Sequence, residues 1–314
     1  MKRIIKLTAL TLAMLMVAIS VFACTGTPAG QNTPQPSDNP INVTLSGDSV
    51  SADKKSGLSI SGTTITINAP GTYKFTGKLD DGNIIVDTLE KGDVFLVLAG
   101  ADITCSDYAP IYCKQVKNLY IYLEKDTTNK VTDGSSYVFP EGADEPDAAI
   151  FSHDDLFFMG EGTLIVDANY NDGITGKDDV NIESGNITVN AVNHGIKGKD
   201  SLEIKGGNLD ITATGDGLKA TQDQDATLGF VEIKEGATVK ITAGDEGIQA
   251  FTNVIIKGGN ITIDSIDAAI KAEQVIELKG GVIEIGTYDS PFSATKIENN
   301  TEVKVTVNGK DFEF

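Results

Sequence analysis

The sequence predicts an all-β protein, a parallel β-helix built from coils of about 22 residues with three short strands in each coil. The first observation is a periodic apolar anchor that begins one strand of each coil. Its members lie 22, 22, 30 and 22 residues apart: Ile174, Ile196, Leu218, Ile248 and Ile270. The second observation is an Asp, Asn or Gly segment directly before most anchors. A β-propeller fits less well, because its repeats need about 40–50 residues and four strands.

Each element of the coil can be justified from one repeat, residues 195–212. Gly195–Gly198 is a short strand around the anchor. Leu202–Ile204 and Leu209–Thr212 alternate apolar and polar residues, which is the pattern of strands with one buried face. Gly206–Gly207 separates them and predicts a turn. The frame recurs in the neighbouring repeats, and no stretch in the repeat has a convincing helical period.

Two polar insertions interrupt the predicted stack, one near residues 126–146 and one near residues 221–229. The second accounts for the single interval of 30 residues between anchors. Insertions of this kind loop out of a solenoid without disturbing the stack. We therefore expect one domain, residues 41–314.

The first 40 residues have the composition of a processing segment and a tether. Lys2, Arg3 and Lys6 precede an apolar run, residues 7–22, that is short for a membrane span. Val21–Cys24 is similar to a bacterial lipobox. We expect a lipoprotein signal peptide at 1–23, lipidation of Cys24 and a disordered tether at 24–40; an ordinary signal peptide cut nearby is the alternative. The protein is then exported and lipid-anchored to the outer face of the bacterial cytoplasmic membrane, at the cell surface.

The chain is strongly acidic, with 45 Asp and Glu against 25 Lys and Arg and a formal net charge of −20. Arg3 is its only arginine. This charge argues against nucleic acid and anionic membranes as partners, so membrane contact is expected only through the lipid anchor. It favours cations, and we expect a monomer. Cys105 and Cys113 are either a disulfide of an exported protein or two buried thiols.

Oxygen-bearing side chains fall into columns relative to the anchors. Strands of stacked coils lie about 4.8 Å apart, and calcium–oxygen distances are about 2.4 Å. A cation between two stacked carboxylates therefore reaches both. The predicted calcium ligands lie two or three residues before the anchors: Asp147, Asn171, Asp172, Asn193, Asp216, Asp245, Glu246 and Asp267. Further candidates lie four residues after the anchors: Asp154, Asp178 and Asp200.

Lysines run beside these acids: Lys197, Lys219 and Lys271 directly follow their anchors. One interpretation is a set of salt bridges that neutralises the acids. The other is a positive strip that meets uronate carboxylates, in which case Lys197, Lys219, Lys271 and Tyr170 would contact carbohydrate. In a lyase, Lys197 or Lys219 would be the base.

Several segments resemble a family of bacterial, clostridial cell-surface carbohydrate-binding proteins with a pectate-lyase-like fold. The resemblance spans most of residues 41–288 and is carried by Asn169–Ile174, His194–Asn208, Gly215–Lys219, Asp147–Leu156, Gly71–Tyr73 and Ile84–Asp87. It implies a right-handed parallel β-helix, bound calcium, and binding of plant cell-wall polysaccharide such as cellulose or pectin. His194 stands where the family motif often has Asp.

Three functions follow from these observations. The first is a calcium-binding, non-catalytic polysaccharide-binding module. The absence of Trp counts against it, since sugars commonly stack on aromatic rings, although Tyr residues can substitute. The second is a calcium-dependent pectate lyase with a Lys base. The third is a structural surface protein that calcium stiffens.

Overall fold

The computed structural model describes residues 33–300 and 302–314, and the compact unit of interest is Pro36–Phe314. The expected signal peptide 1–23 and lipidation site Cys24 lie outside the described residues, as does most of the expected tether 24–40. Within the described ranges, no helix has the length and apolar character needed to cross a membrane.

The described residues form two large β-sheets. The nineteen-stranded sheet contains β1 (Ile41–Gly47), β2 (Ser49–Ala52), β5 (Gly71–Leu79), β7 (Asp93–Cys105), β9 (Asn118–Leu123), β10 (Thr128–Asp133), β12 (Leu156–Gly160), β13 (Thr163–Ala168), β15 (Asp179–Ile182), β16 (Asn186–Ala191), β18 (Ser201–Ala213), β20 (Phe230–Ala243), β22 (Asn253–Ile256), β23 (Asn260–Ser265), β25 (Val275–Leu278), β26 (Val282–Ile285), β28 (Lys296–Asn299), β29 (Lys304–Val307) and β30 (Lys310–Asp311). The eleven-stranded sheet contains β3 (Leu58–Ser61), β4 (Thr64–Ile67), β6 (Asn83–Asp87), β8 (Ile111–Gln115), β11 (Ala148–Ser152), β14 (Asp172–Gly176), β17 (Ile196–Gly198), β19 (Leu218–Ala220), β21 (Ile248–Ala250), β24 (Ala268–Ala272) and β27 (Ser290–Ser293).

The prediction of a right-handed parallel β-helix solenoid with three short strands per coil is wrong. The structure contains a closed eight-stranded parallel barrel with additional strands. Its hydrogen-bonded cycle runs β7–β9–β12–β15–β18–β16–β13–β10 and returns to β7.

The ring closes at one side through β18, which was predicted as two strands and is continuous. β18 passes through Gly206–Gly207 with only a shift of register between Ile204 and Gly206 where it pairs with β20. Gly207 has φ +89°, a conformation that favours glycine. The glycine pair therefore bends the strand without ending it, and β18 pairs with both β15 and β16.

The anchor strands all lie in the eleven-stranded sheet and pair in parallel, each with its equivalent in the next repeat. Ile174 pairs with Ile196, Ile196 with Leu218, Leu218 with Ile248 and Ile248 with Ile270. One continuous apolar core of Val, Ile and Leu lies inside the strands and includes all five anchors. The predicted register of the anchors is confirmed.

The two segments expected as insertions differ in structure. Part of the first, Thr128–Asp133, is strand β10, which pairs with β7 and β13. Residues 134–147 connect β10 to β11 and carry Tyr137 and Phe139. Residues 221–229 connect β19 to β20 and contain no strand. Cys105 and Cys113 are buried, free thiols.

Candidate metal centre and binding surface

The residues that precede the anchors form a ledge along one margin of the eleven-stranded sheet. Because the anchors are in register, the residues two positions before them follow one another from repeat to repeat: Asp172, His194, Asp216, Glu246 and Ala268. The residues three positions before the anchors also lie on the ledge, where the backbone N–H of each donates to the backbone oxygen of its equivalent in the preceding repeat. Asn193 donates to Asn171, Gly215 to Asn193, Asp245 to Gly215, and Asp267 to Asp245.

Glycine precedes the anchor in four repeats because there is no room for a side chain. A Cβ on Gly217 would lie 2.3 Å from Cγ2 of Ile241 and 2.7 Å from the carbonyl oxygen of Gly247. The same close approach recurs at Gly173, Gly195 and Gly247. At these four positions, adjacent repeats therefore approach one another closely beside the ledge.

Asp172 lies at the start of β14 and is fully buried. Its Oδ1 accepts hydrogen bonds from Nδ2 of Asn193 at 2.8 Å and from the backbone N of His194 at 3.1 Å. Lys197 forms an ion pair with Oδ2 of Asp172 and lies 3.4 Å from Oδ2 of Asp147. The other oxygen of Asp147, Oδ1, is buried and has no hydrogen-bond partner.

Asp216 is also fully buried and is shared by three neighbours. Its Oδ2 lies 2.6 Å from Nζ of Lys219 and 3.3 Å from Nδ1 of His194, and its Oδ1 accepts from the backbone N of Glu246 at 3.1 Å. The backbone N of Asp216 donates to Nδ1 of His194 at 3.0 Å. Burial lowers the pKa of His194 to about 4, so this ring is neutral near pH 7.

Three carboxylates meet at the next repeat. Asp216, Asp245 and Glu246 each offer an oxygen, and these oxygens all lie within 4.8 Å of one another. In the described part of the chain, no other group of three or more His, Cys, Asp or Glu side chains meets that distance. Asp216 and Glu246 are buried, whereas Asp245 is exposed. Lys271 pairs with Glu246 from one side.

Burial and mutual proximity shift the pKa values of these three carboxyls. Burial raises the pKa of Asp216 to about 6, and its hydrogen bond to Glu246 acts in the same direction. Burial opposes ionisation of Glu246, but the hydrogen bonds with Asp216 and Lys271 outweigh it and hold its pKa below the ordinary value. Burial and the Glu246 charge raise the pKa of Asp245. Burial and the neighbouring Glu246 therefore both oppose the ionised form of Asp216.

This donor set fits a hard divalent cation. It consists of carboxylate oxygens with no thiol, and calcium takes such ligands. A bound cation would offset the repulsion among these crowded carboxylates. Asp216, Asp245 and Glu246 would hold it, and Asp267 lies in the next repeat, close enough for its charge to raise the pKa of Asp245. The other predicted ligands near the anchors, Asp147, Asn171, Asp172 and Asn193, lie on the same ledge but around Lys197.

The second predicted column lies at the opposite end of the anchor strands. Asp154 accepts a hydrogen bond from the backbone N of Val116 at 2.8 Å, and Asp200 accepts one from Nε2 of Gln222 at 2.9 Å. Burial raises the pKa of Asp178, and the charges of Asp200 and Asp154 add to it. These three carboxyls influence one another without forming a compact ligand set.

The lysines proposed to contact carbohydrate are engaged with carboxylates. Burial acts to lower the pKa of Lys197, but Asp172 and Asp147 outweigh it and hold the pKa above its ordinary value. The ion pair with Glu246 likewise raises the pKa of Lys271. Lys219 pairs with Asp216. A catalytic base needs a free, neutral amine, so Lys197 is poorly suited to that task.

Tyr170 belongs to an aromatic cluster that sequence reasoning missed. Its ring stacks on Tyr137 with centroids 4.1 Å apart, and Phe139 lies edge-on at 6.2 Å. The cluster continues over the eleven-stranded sheet through Tyr108, Tyr112 and Phe151. One signal was available, because Tyr112 and Phe151 occupy the position directly after an anchor, where Lys197 stands later in the chain.

The described chain is therefore an all-β protein whose parallel strands carry a ledge of carboxylates. Residues 61–311 match the model of the family described as "Carbohydrate-binding domain-containing protein". The chain belongs to this family.

Two further comparisons place it among known proteins. A carbohydrate-binding domain-containing protein of Acetivibrio thermocellus is 37% identical over 184 residues, which cover 57% of this chain and 63% of that relative. The matched region thus spans less than two thirds of the relative's length. A solved structure of the polysaccharide lyase-like protein from C. thermocellum, a gadolinium derivative, is similar with a TM-score of 0.67 and 33% identity, covering 83% of this chain and 100% of that one.

Proposed function

We propose that the protein is a calcium-binding, non-catalytic polysaccharide-binding module of the cell surface that takes plant cell-wall polysaccharide, either cellulose or pectin-type acidic glycans. Membership of the carbohydrate-binding family supports the class of ligand. The proposal that the protein binds calcium rests on the cluster of three carboxylates of Asp216, Asp245 and Glu246, whose oxygens lie within 4.8 Å of one another.

Calcium has two roles in this proposal. It neutralises carboxylates that would otherwise repel one another, which stabilises the ledge. Because Asp245 is exposed, a bound cation would also be reachable by a ligand from solvent. When bound, calcium supplies a positive charge that can bridge to the carboxylate of a uronate, which suits a protein whose net charge is −20. The similar gadolinium derivative gives indirect support, since Gd³⁺, like Ca²⁺, is a hard cation.

The pairing of the lysines supports a binding function over catalysis. Lys197 is held in its charged form by two carboxylates, so it cannot accept a proton from a sugar near neutral pH. A lyase remains the alternative candidate, because one similar structure is called polysaccharide lyase-like. Export and lipid anchoring through Cys24 complete the proposal and would place the module at the outer face of the membrane.

One experiment tests these functions together. The purified domain is passed over insoluble cellulose and over a polygalacturonate gel, with calcium and with a chelator. Retention that depends on calcium on polygalacturonate, without release of unsaturated, ultraviolet-absorbing products, is the expected result. Product release would establish the lyase, and a lack of retention on both materials would contradict the binding function.

A further inference from the structure

A furrow runs across the repeats on the outer side of the nineteen-stranded sheet, where its strands end. It follows two adjoining cavities of about 390 Å³ and about 520 Å³. They meet on β18, where Thr212 lines one and Ala213 lines the other. The furrow is separate from the carboxylate ledge, and the proposed calcium chemistry does not use it.

The floor of the furrow is a row of small residues in register. Ala168, Ala191, Ala213, Ala243 and Ser265 pair successively along β13, β16, β18, β20 and β23. All five are buried. Small side chains at every step leave a smooth channel that crosses the strands instead of running along them.

The rim directly before that floor is polar at every step. Its members pair in the same order: Asp167, Asn190, Thr212, Thr242 and Asp264. Thr132 extends the row on β10, next to Asp167. The carboxylates accept hydrogen bonds, and the amide and hydroxyl groups both accept and donate them, so the row can pair with the hydroxyls of a neutral sugar.

The other side of the furrow is mixed: Thr214 and Gly244 line it together with two exposed apolar side chains. Val192 is 48% exposed and Ile266 is 70% exposed, and each lines one of the two cavities. At one end, Asn169 lines the furrow and its chain neighbour Tyr170 carries an aromatic ring. Polar groups on one side and two exposed apolar side chains on the other suit a pyranose, which has hydroxyls at its edge and C–H groups on its faces.

We infer that this furrow binds a linear neutral glycan, such as a β-1,4-linked glucan, with one sugar unit beside each strand. Six strands at about 4.8 Å spacing give a furrow about 24 Å long. The strand spacing is close to the length of one sugar unit along an extended glucan. The carboxylate of Asp264 disfavours a uronate here, whereas Asp167 is paired with Lys130 at 2.9 Å, so acidic glycans would depend on the calcium ledge instead. This inference rests on the proposed polysaccharide-binding function and locates the binding of neutral glycans in the furrow.

The test uses leucine at two exposed rim positions. Thr212→Leu/Thr242→Leu removes two hydroxyls and narrows the furrow without adding a ring on which a sugar could stack. Thr238→Leu is the matched control, because Thr238 is exposed on the same face of β20 as Thr242 but lies outside both cavities. Binding of cellohexaose and cellobiose is measured by calorimetry, with melting temperature and calcium binding as checks on folding.

We expect the wild-type domain to bind cellohexaose more tightly than cellobiose. The double variant should bind cellohexaose about tenfold more weakly, the scale of one or two lost hydrogen bonds, while the control is unchanged and all variants retain calcium binding. Equal cellohexaose affinity of double variant and wild type would overturn the furrow assignment. So would wild-type retention on polygalacturonate alone, although polysaccharide binding itself would then stand. No wild-type retention on either polymer would overturn both proposals.

Discussion

Two rows of charged residues cross the repeats, and they differ in how the charges balance. On the nineteen-stranded sheet, lysines and glutamates alternate. Lys205 lies 2.8 Å from Glu183, Lys234 lies 2.9 Å from Glu203 and 3.0 Å from Glu232, and Lys257 lies 2.7 Å from Glu232. We call this set of six residues the balanced ladder.

The ledge beside the eleven-stranded sheet is not balanced. Asp216, Asp245 and Glu246 crowd together, and Lys219 and Lys271 are the only lysines among residues 33–300 and 302–314 that pair with them. In the balanced ladder, neighbouring lysines hold the pKa of Glu232 below its ordinary value despite burial, whereas on the ledge the pKa of Asp216 rises to about 6. Both rows arise from the same stacking of repeats. The comparison teaches that stacking alone does not distinguish the two rows; the excess of carboxylates over lysines does, and it is the reason we propose the cation site on the ledge.

The largest expected effect comes from removing a lysine whose partner is fully buried. Lys197→Met leaves the Asp172 carboxylate, which has no exposed surface, without its cation. We expect the free energy of unfolding to fall by about 3 kcal/mol, measured by urea denaturation in chelator. Lys205→Met in the balanced ladder is the control and should cost less than about 1 kcal/mol. Equal losses would show that burial of the partner does not distinguish the rows.

The next effect concerns calcium affinity. Asp245→Asn and Glu246→Gln each remove a negative oxygen from the carboxylate group and should weaken calcium binding about 10- to 100-fold. Glu203→Gln makes the same change of charge in the balanced ladder and should leave calcium affinity unchanged. Calorimetric titration with calcium chloride measures all three. A similar loss in Glu203→Gln would mean that net charge, and not this site, attracts the cation.

A smaller effect is expected from pH. Calcium needs the ionised form of Asp216, and the pKa of this group is about 6. Below that pH a proton competes with the cation, so the affinity should decrease as pH falls. Between pH 7 and pH 5 we expect about a tenfold loss. Titrations in buffers of different ionisation enthalpy should also show proton release on binding near pH 6. A flat profile would place the cation elsewhere.

The smallest effect is expected within the balanced ladder itself. Lys257 is half-exposed, and its partner Glu232 keeps Lys234 at 3.0 Å when Lys257 is replaced. Lys257→Met should therefore change the free energy of unfolding by less than about 1 kcal/mol, and high salt should reduce the difference further. A larger cost would show that the ladder acts as a cooperative network.

The sequence was sufficient to predict the register but not the closure of the sheet. The anchors from Ile174 to Ile270 recur at near-regular intervals in the sequence, so their pairing could be predicted by counting residues. Gly206–Gly207 is ambiguous, because a glycine pair can either end a strand or bend one that continues. The structure bends it, and strands β7, β18 and their neighbours close into a ring that no local pattern specifies.

The sequence predicted which acidic residues fall in one row across the repeats, but it did not predict which lysine contacts which carboxylate. Stacking placed Asp216 and Glu246 in one row, as the spacing indicated. Which acids a lysine reaches depends on side-chain conformation across repeats, and Lys197 reaches Asp147, which lies 50 positions earlier in the chain. The furrow could not be found in advance, because Ala and Thr at outer strand positions are ordinary surface residues until several strands bring them into line.

The C-terminal end of the stack shows how a repeating sheet terminates. The last parallel strands in the described chain are β27, β28 and β29. The short strand β30 pairs antiparallel with β29, while Phe312 and Phe314 fold back against Phe292 of β27. The middle edge, β28, presents Lys296 and Glu298 to solvent.

A parallel edge left open is a template on which another chain can dock by the same register that joins each repeat to the next. A different feature protects each of the three outer strands. An antiparallel strand covers β29, aromatic rings cover β27, and a pair of charged side chains lies on β28. Together, these three features keep the end of the described sheet from serving as such a template.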